Sequence, residues 1–245
     1  MAIVSNLVTG DIKKNQNRIL QLATKAVDSG AEFILFPETA ATGLIISGNP
    51  KRDFTIAETI PGLRNEQWSS FAAEHGTYFG AGLLEQDGNR IFDSAVLFDR
   101  DGELILHYRR NDPGWHSPDD DSKIYCEGYD IPVIDSLIGR LAFLVCGDLW
   151  NDEILGRLQA KHPDYLLYIF ARDIFPMDQV EQIWESEFSH YKNRWMRSGS
   201  TVIATNLLCN IQGSGSIGGI WVIDRRRAVL KESSILHENM LLIDL

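Results

Sequence analysis

Short apolar runs recur from one end of this chain to the other, each stopped by a turn-former or a charged residue: "FILFPE", "YFGAGLL", "SAVLFD", "LILHYRR", "LAFLVC", "DYLLYIFA", "TVIATN", "GGIWVID" and "ENMLLIDL". Runs of this length suit strands covered on both sides better than helices. Between them lie stretches with helical spacing. Ile19, Leu22, Ala23, Ala26 and Val27 predict a helix over residues 15–29, closed by Gly30, and further helices are expected around 65–75, 152–160 and 177–196. The turn signals Asp87-Gly88 and Asp101-Gly102 join three of the runs into a meander. The class is therefore mixed α/β, with strands in layers covered by helices.

At 245 residues and 44% hydrophobic content, the chain can bury one large core, so a single domain over residues 1–245 is expected. The formal net charge is −11, from 34 acidic and 23 basic residues, and no basic block is longer than Arg225-Arg226-Arg227. A nucleic-acid partner does not fit that balance. The apolar runs fall far short of the roughly 20 residues that cross a bilayer, and the N-terminus lacks a basic-then-apolar leader pattern, so no membrane partner and a cytoplasmic location are expected. Cys126, Cys146 and Cys209 are widely spaced with no CxxC, which argues against a disulfide framework and a zinc site. "GSGSIGG" (213–219) has neither the lysine of a P-loop nor a strand-to-helix setting, and reads as a loop before a strand. The acidic triplet 119–121 reads as a solvated loop rather than a metal site. No cofactor is expected.

Three runs end in a reactive residue: "FILFPE" at Glu38, "LILHYRR" at Arg109 and Arg110, and "LAFLVC" at Cys146. Catalytic groups in layered α/β folds collect at strand ends. A carboxylate, a cation and a thiol brought together would support acyl transfer through a thioester: the carboxylate as general base, the thiol as nucleophile, the cation as oxyanion stabiliser. The six histidines show no HExxH spacing and there is no GxSxG elbow, although a Cys-His dyad with a distant histidine stays as a lesser alternative.

With these residues placed, the sequence resembles the nitrilase, or carbon–nitrogen hydrolase, superfamily. "FILFPETAATG" matches the family's first motif and maps its catalytic glutamate onto Glu38; "CGDLWNDE" supplies Cys146, Asp148 and Glu153 at the family's spacing, with Cys146 as nucleophile. The stretch "HYRRND" departs from the pattern, setting Arg110 on the family's lysine position, and "DSKIYCEG" lays Asp121 on a second glutamate. The resemblance implies a four-layer α-β-β-α sandwich that pairs into homodimers or higher homo-oligomers.

It also implies hydrolysis of a small-molecule amide or carbamoyl substrate, with Glu38, Arg110, Cys146 and Asp121 catalytic; Glu153 and the aromatic residues Trp115 and Phe170 are the substrate-contact candidates, with core packing as the alternative for the aromatics. Trp150 is a further candidate for the pocket wall. Arginine keeps the positive charge and N–H donors of lysine but cannot shuttle a proton. Three alternatives stay open at this point: a nitrile in place of the amide substrate, a family member that binds without turnover, and acyl transfer to an amine in place of water.

Overall fold

The computed structural model describes residues 1–209, 215–226 and 229–244; part of "GSGSIGG" and Arg227 lie outside them. In the first half of the chain the elements are β1 (Ala2–Ser5), β2 (Leu7–Val8), α1 (Ile12–Asp28), β3 (Phe33–Leu35), α2 (Pro50–Asp53), α3 (Leu63–His75), β4 (Tyr78–Asp87), β5 (Arg90–Phe98) and β6 (Leu104–Arg109). The second half contains β7 (Ile134–Ser136), β8 (Gly139–Val145), α4 (Asp152–Lys161), β9 (Tyr165–Phe170), α5 (Val180–Arg197), β10 (Thr201–Asn206), β11 (Leu208–Cys209), β12 (Ile220–Ile223), β13 (Val229–Glu232) and β14 (Asn239–Leu242).

Each half builds a six-stranded sheet, ordered β14-β1-β3-β4-β5-β6 and β13-β12-β10-β9-β8-β7, and β14 returns to pair antiparallel with β1. Both sheets have the same logic. Parallel strands joined through helices (β1-β3-β4 and β8-β9-β10) continue into an antiparallel meander (β4-β5-β6 and β10-β12-β13).

The layering follows from the period-two alternation of strand side chains. On β1 and β3, Ile3, Phe33 and Leu35 face the second sheet, packing in one cluster with Leu141, Phe143 and Val145. Their neighbours Ala2, Val4, Ile34 and Phe36 face the other way, onto Ile19, Leu22 and Ala26 of α1 and Trp68, Phe71 and Ala72 of α3. On the far side, Ile154, Leu155 and Leu158 of α4 and Trp184, Tyr191 and Trp195 of α5 cover the second sheet. Helix, sheet, sheet and helix are thus stacked in four layers, and each fully buried Leu, Ile or Phe side chain contributes about 1.5–3 kcal/mol.

The predicted helices are present with shifted ends. α1 begins at Ile12 because Asp11 caps it, its side chain accepting the Lys14 N–H at 3.0 Å. The stretch read as one helix from residue 177 is a short 3-10 turn, Met177–Gln179, followed by α5. The hairpin β7-β8 and the short α2 were not anticipated.

Candidate active site

Glu38 lies just past β3, in a segment stitched to β4: Phe36 N–H donates to Gly80 O at 2.8 Å, Gly82 N–H to Pro37 O at 3.0 Å, and Ala40 N–H to Gly82 O at 3.0 Å. This close approach requires glycine. A Cβ on Gly82 would come within 2.6 Å of Glu38 Cα and 2.7 Å of Thr39 N. The Glu38 carboxyl is completely buried between the sheets.

Arg110 immediately follows β6 and is 3% exposed. Its backbone N–H donates to Asp93 O at 2.8 Å, which extends the β5-β6 pairing and fixes its direction. Nη1 reaches Glu38 Oε1 and Asp93 Oδ2, each at 3.2 Å, and Nη2 reaches Asp112 Oδ1 at 3.3 Å. The guanidinium lies against Gly147, where a Cβ would stand 2.4 Å from Nη2 and 2.3 Å from Asp112 Oδ1. A side chain at position 147 would therefore push the guanidinium off its carboxylates.

Cys146 sits where β8 turns into the 3-10 turn Cys146–Trp150, at a φ of 45° that costs a residue with a side chain on the order of 1–3 kcal/mol. Two contacts hold it there. The Tyr168 hydroxyl donates to Cys146 O at 2.8 Å, and the preceding Val145 N–H donates to Asp148 Oδ2 at 2.9 Å. Asp148 is fully buried and also accepts from the Tyr108 hydroxyl at 2.6 Å, Asn111 N at 2.9 Å and Asp112 N at 2.8 Å. One carboxylate thus ties the strand end carrying Arg110 to the turn carrying Cys146. It braces the two positions against each other.

Burial sets the electrostatics. The Glu38 carboxyl titrates well above its usual range, first because it is desolvated and then because negative charge at Cys146 and Asp93 opposes its ionisation, with Arg110 acting the other way. Burial likewise raises Asp93, against the pull of Arg110. Asp148 is pushed up to about 6 by burial, held down in part by the Tyr108 hydrogen bond. For Arg110 burial disfavours the charge, but Cys146, Glu38 and Asp93 outweigh it and hold the guanidinium cationic.

Cys146 and Arg110 open onto a cavity of 570 Å³ whose wall also includes Gly147, Trp150, Arg172 and Tyr191. Trp150 packs edge-on against Tyr191 at 4.8 Å between ring centres. Arg172 is held in the wall by Glu187, to which Nε and Nη2 donate at 3.1 and 2.6 Å. Among the described residues no group of three or more His, Cys, Asp or Glu is arranged to hold a metal ion.

Of the residues read from the sequence, the structure brings Glu38, Arg110 and Cys146 together and sets the other four elsewhere. Asp121 is on the surface, its carboxylate accepting the Lys123 N–H at 2.9 Å and its carbonyl closing a turn to Ile124 and Tyr125. Glu153 is exposed in the first turn of α4, which Asn151 caps at 3.0 Å, so it serves the helix end and not the cavity. Trp115 is buried in a separate cluster with Ile56, Ala57, Leu84, Ile91 and Tyr125, and its chain neighbour Gly114 reaches the cavity instead. Phe170 is the last residue of β9 and faces the core against Tyr168, Tyr191 and Trp195; the wall begins one residue later, at Ala171.

Sequence reasoning passed over Asp93, and over Glu187, His190 and Tyr191, which share one face of α5 at i, i+3, i+4 spacing and line the cavity. Asp93 left a signal: it is an acidic residue inside an apolar strand, in phase with the inward-facing Ala95 and Leu97.

Residues 1–229 match the family described as carbon-nitrogen hydrolase. A formamidase from Bacillus cereus (strain Q1) is 30% identical over 195 residues, an alignment covering 76% of this chain and 54% of the relative. The chain spans about half the length of the curated relatives it matches. Among solved structures, a variant of the amidase from Nesterenkonia sp. AN1, with acrylamide added at its active-site cysteine, superposes with a TM-score of 0.80 at 20% identity, covering 100% of this chain and 92% of the other. A carbon-nitrogen hydrolase from Helicobacter pylori G27 reaches 0.83 at 20% identity, covering 98% and 86%. These likenesses are of fold, and with the family match over nearly the whole sequence they lead to one conclusion: this chain belongs to the carbon–nitrogen hydrolase family.

Proposed function

We propose that the protein hydrolyses the C–N bond of a small-molecule amide through a thioester on Cys146. The observation that carries this reading is the buried Glu38-Arg110 pair beside a cysteine that lines a cavity. Glu38 removes the thiol proton and the thiolate attacks the amide carbon. Arg110 stabilises the negative charge passing through the site. The amine leaves with the proton that Glu38 took up, and water, deprotonated by Glu38, then cleaves the thioester.

The cavity volume of 570 Å³ suits a small substrate with a modest side group. Similarity to a formamidase and to an amidase favours short aliphatic amides over nitriles. The family resemblance also supports a homodimer, which sedimentation would test, and the cytoplasmic location expected from the sequence is a matter for fractionation.

The direct test is ammonia release from a series running from formamide to butyramide, with Cys146→Ala as control. Turnover of at least one member, lost in the variant, supports the reading. No turnover of any amide, with Cys146 also silent to acrylamide by intact-mass spectrometry, would refute it.

A further inference from the structure

One guanidinium serves two fully buried carboxyl groups in this site. Arg110 Nη1 is 3.2 Å from Glu38 Oε1 and 3.2 Å from Asp93 Oδ2, and Glu38 and Asp93 are within hydrogen-bond reach of each other. Their other oxygens, Glu38 Oε2 and Asp93 Oδ1, are buried with no donor among the described residues. Two carboxylates cannot share a hydrogen bond unless one is protonated, and two bare anions against one cation leave an uncompensated charge in a dry site.

We propose that Glu38 and Asp93 hold a single proton between them, so that Asp93 is a positioning residue that makes Glu38 part of a carboxyl–carboxylate pair. This rests on the reading of Glu38 as the base for Cys146.

The charge balance explains what the pair achieves. At rest it carries one negative charge, which Arg110 neutralises. When the proton on Cys146 Sγ passes to Glu38, the S–H bond breaks and an O–H bond forms. The pair becomes neutral and the new thiolate inherits Arg110 as its counter-ion. The summed charge of Glu38, Asp93, Arg110 and Cys146 is zero before and after, so proton transfer adds no uncompensated charge to the low-dielectric interior. A lone glutamate clamped by an arginine would be a weaker base, because the ion pair would favour keeping it ionised.

The groups facing Glu38 are Asp93 on β5, Arg110 after β6, Cys146 after β8 and Tyr168 on β9, with Asp112 and Asp148 beyond the guanidinium. Burial raises both members of the pair, in keeping with a retained proton.

Asp93→Asn keeps the shape and can donate to Glu38, but removes the shared proton. The test is the pH dependence of Cys146 alkylation by iodoacetamide, followed by peptide mapping, which needs no substrate. Without its partner Glu38 ionises more readily, so the acid limb of the variant should move to lower pH by about one unit. A folded variant with its limb unmoved would overturn the proposal.

Infrared spectroscopy of the wild-type protein gives a second test that does not depend on that variant folding. A protonated-carboxyl band should persist above neutral pH and vanish in Glu38→Gln. Its absence from the wild-type spectrum, or its survival in Glu38→Gln, would overturn the pair. A protein that turns over no amide yet shows both the band and the limb shift would refute the activity and support the pair.

Discussion

Arg109 and Arg110 are adjacent in the chain and serve two unlike acidic clusters, one on each side of the same sheet. Alternation on β5 and β6 separates them: Asp93 and Arg110 face the second sheet, whereas Ser94, His107 and Arg109 face outward toward Glu85 on β4. Glu85 and Glu38 both have almost no exposed surface, although Glu38 lies deeper and Glu85 sits beneath the partly exposed His107 and Arg109, so exposure alone does not account for their opposite titration.

The supply of donors does. Glu85 accepts from the Ser94 hydroxyl at 2.6 Å, from His107 Nε2 at 2.8 Å and from both Nε and Nη2 of Arg109. Burial works against its charge, but these bonds more than offset it and bring the carboxyl down to about 2. Glu38 has one shared guanidinium nitrogen and an oxygen with no donor among the described residues, and its carboxyl rises. A saturated carboxylate is held ionised as a strut; a starved one is left able to take up a proton, as the role proposed for Glu38 requires.

The largest expected effects test that distinction. Cys146→Ala should abolish turnover. Glu38→Gln should lower kcat/KM by on the order of a thousandfold, while Glu85→Gln should leave it within a few-fold. Comparable losses in the two glutamine variants would break the comparison.

Stability should run the other way. Glu85 is depressed from an ordinary 4.5 to about 2, so its contribution of about 3 kcal/mol is present above pH 4.5 and lost as pH falls through the folded value. Glu38 is raised, so ionising it disfavours the fold at any pH above its unfolded value. Thermal unfolding near neutral pH should therefore show Glu85→Gln with a lower Tm than the wild type and Glu38→Gln with an equal or higher one.

A smaller effect is expected at Gly147. Alanine there displaces the Arg110 guanidinium, with a cost of about 10–100-fold in kcat and little change in KM. Smallest of all, Arg172→Ala in the cavity wall should alter KM for longer amides by a few-fold and leave kcat for the shortest one nearly unchanged.

The strands and the three strand-end residues Glu38, Arg110 and Cys146 were legible because both rest on local signals: short apolar runs and the residue that stops each. Phe170 shows the limit of that rule. The last residue of a strand faces the core or the cavity according to its phase, and a one-residue error exchanges Phe170 for Ala171. Asp121 was assigned by laying an irregular loop against a motif, where no periodicity fixes the register. The α5 wall residues were not legible because a helix face becomes a cavity wall only through the packing of that helix on the second sheet. Asp93 was within reach, as a charge in phase with an inward-facing apolar set, but the apolar run was taken to begin after it.

The central claim is that Glu38, and not the donor-rich Glu85, prepares Cys146 for attack. Rapid-quench mass spectrometry of acyl-Cys146 formation from a small amide, in wild type, Glu38→Gln and Glu85→Gln, measures that step before thioester hydrolysis. The account predicts that acylation is lost in Glu38→Gln and proceeds at close to the wild-type rate in Glu85→Gln. Equal acylation rates in Glu38→Gln and wild type would contradict it.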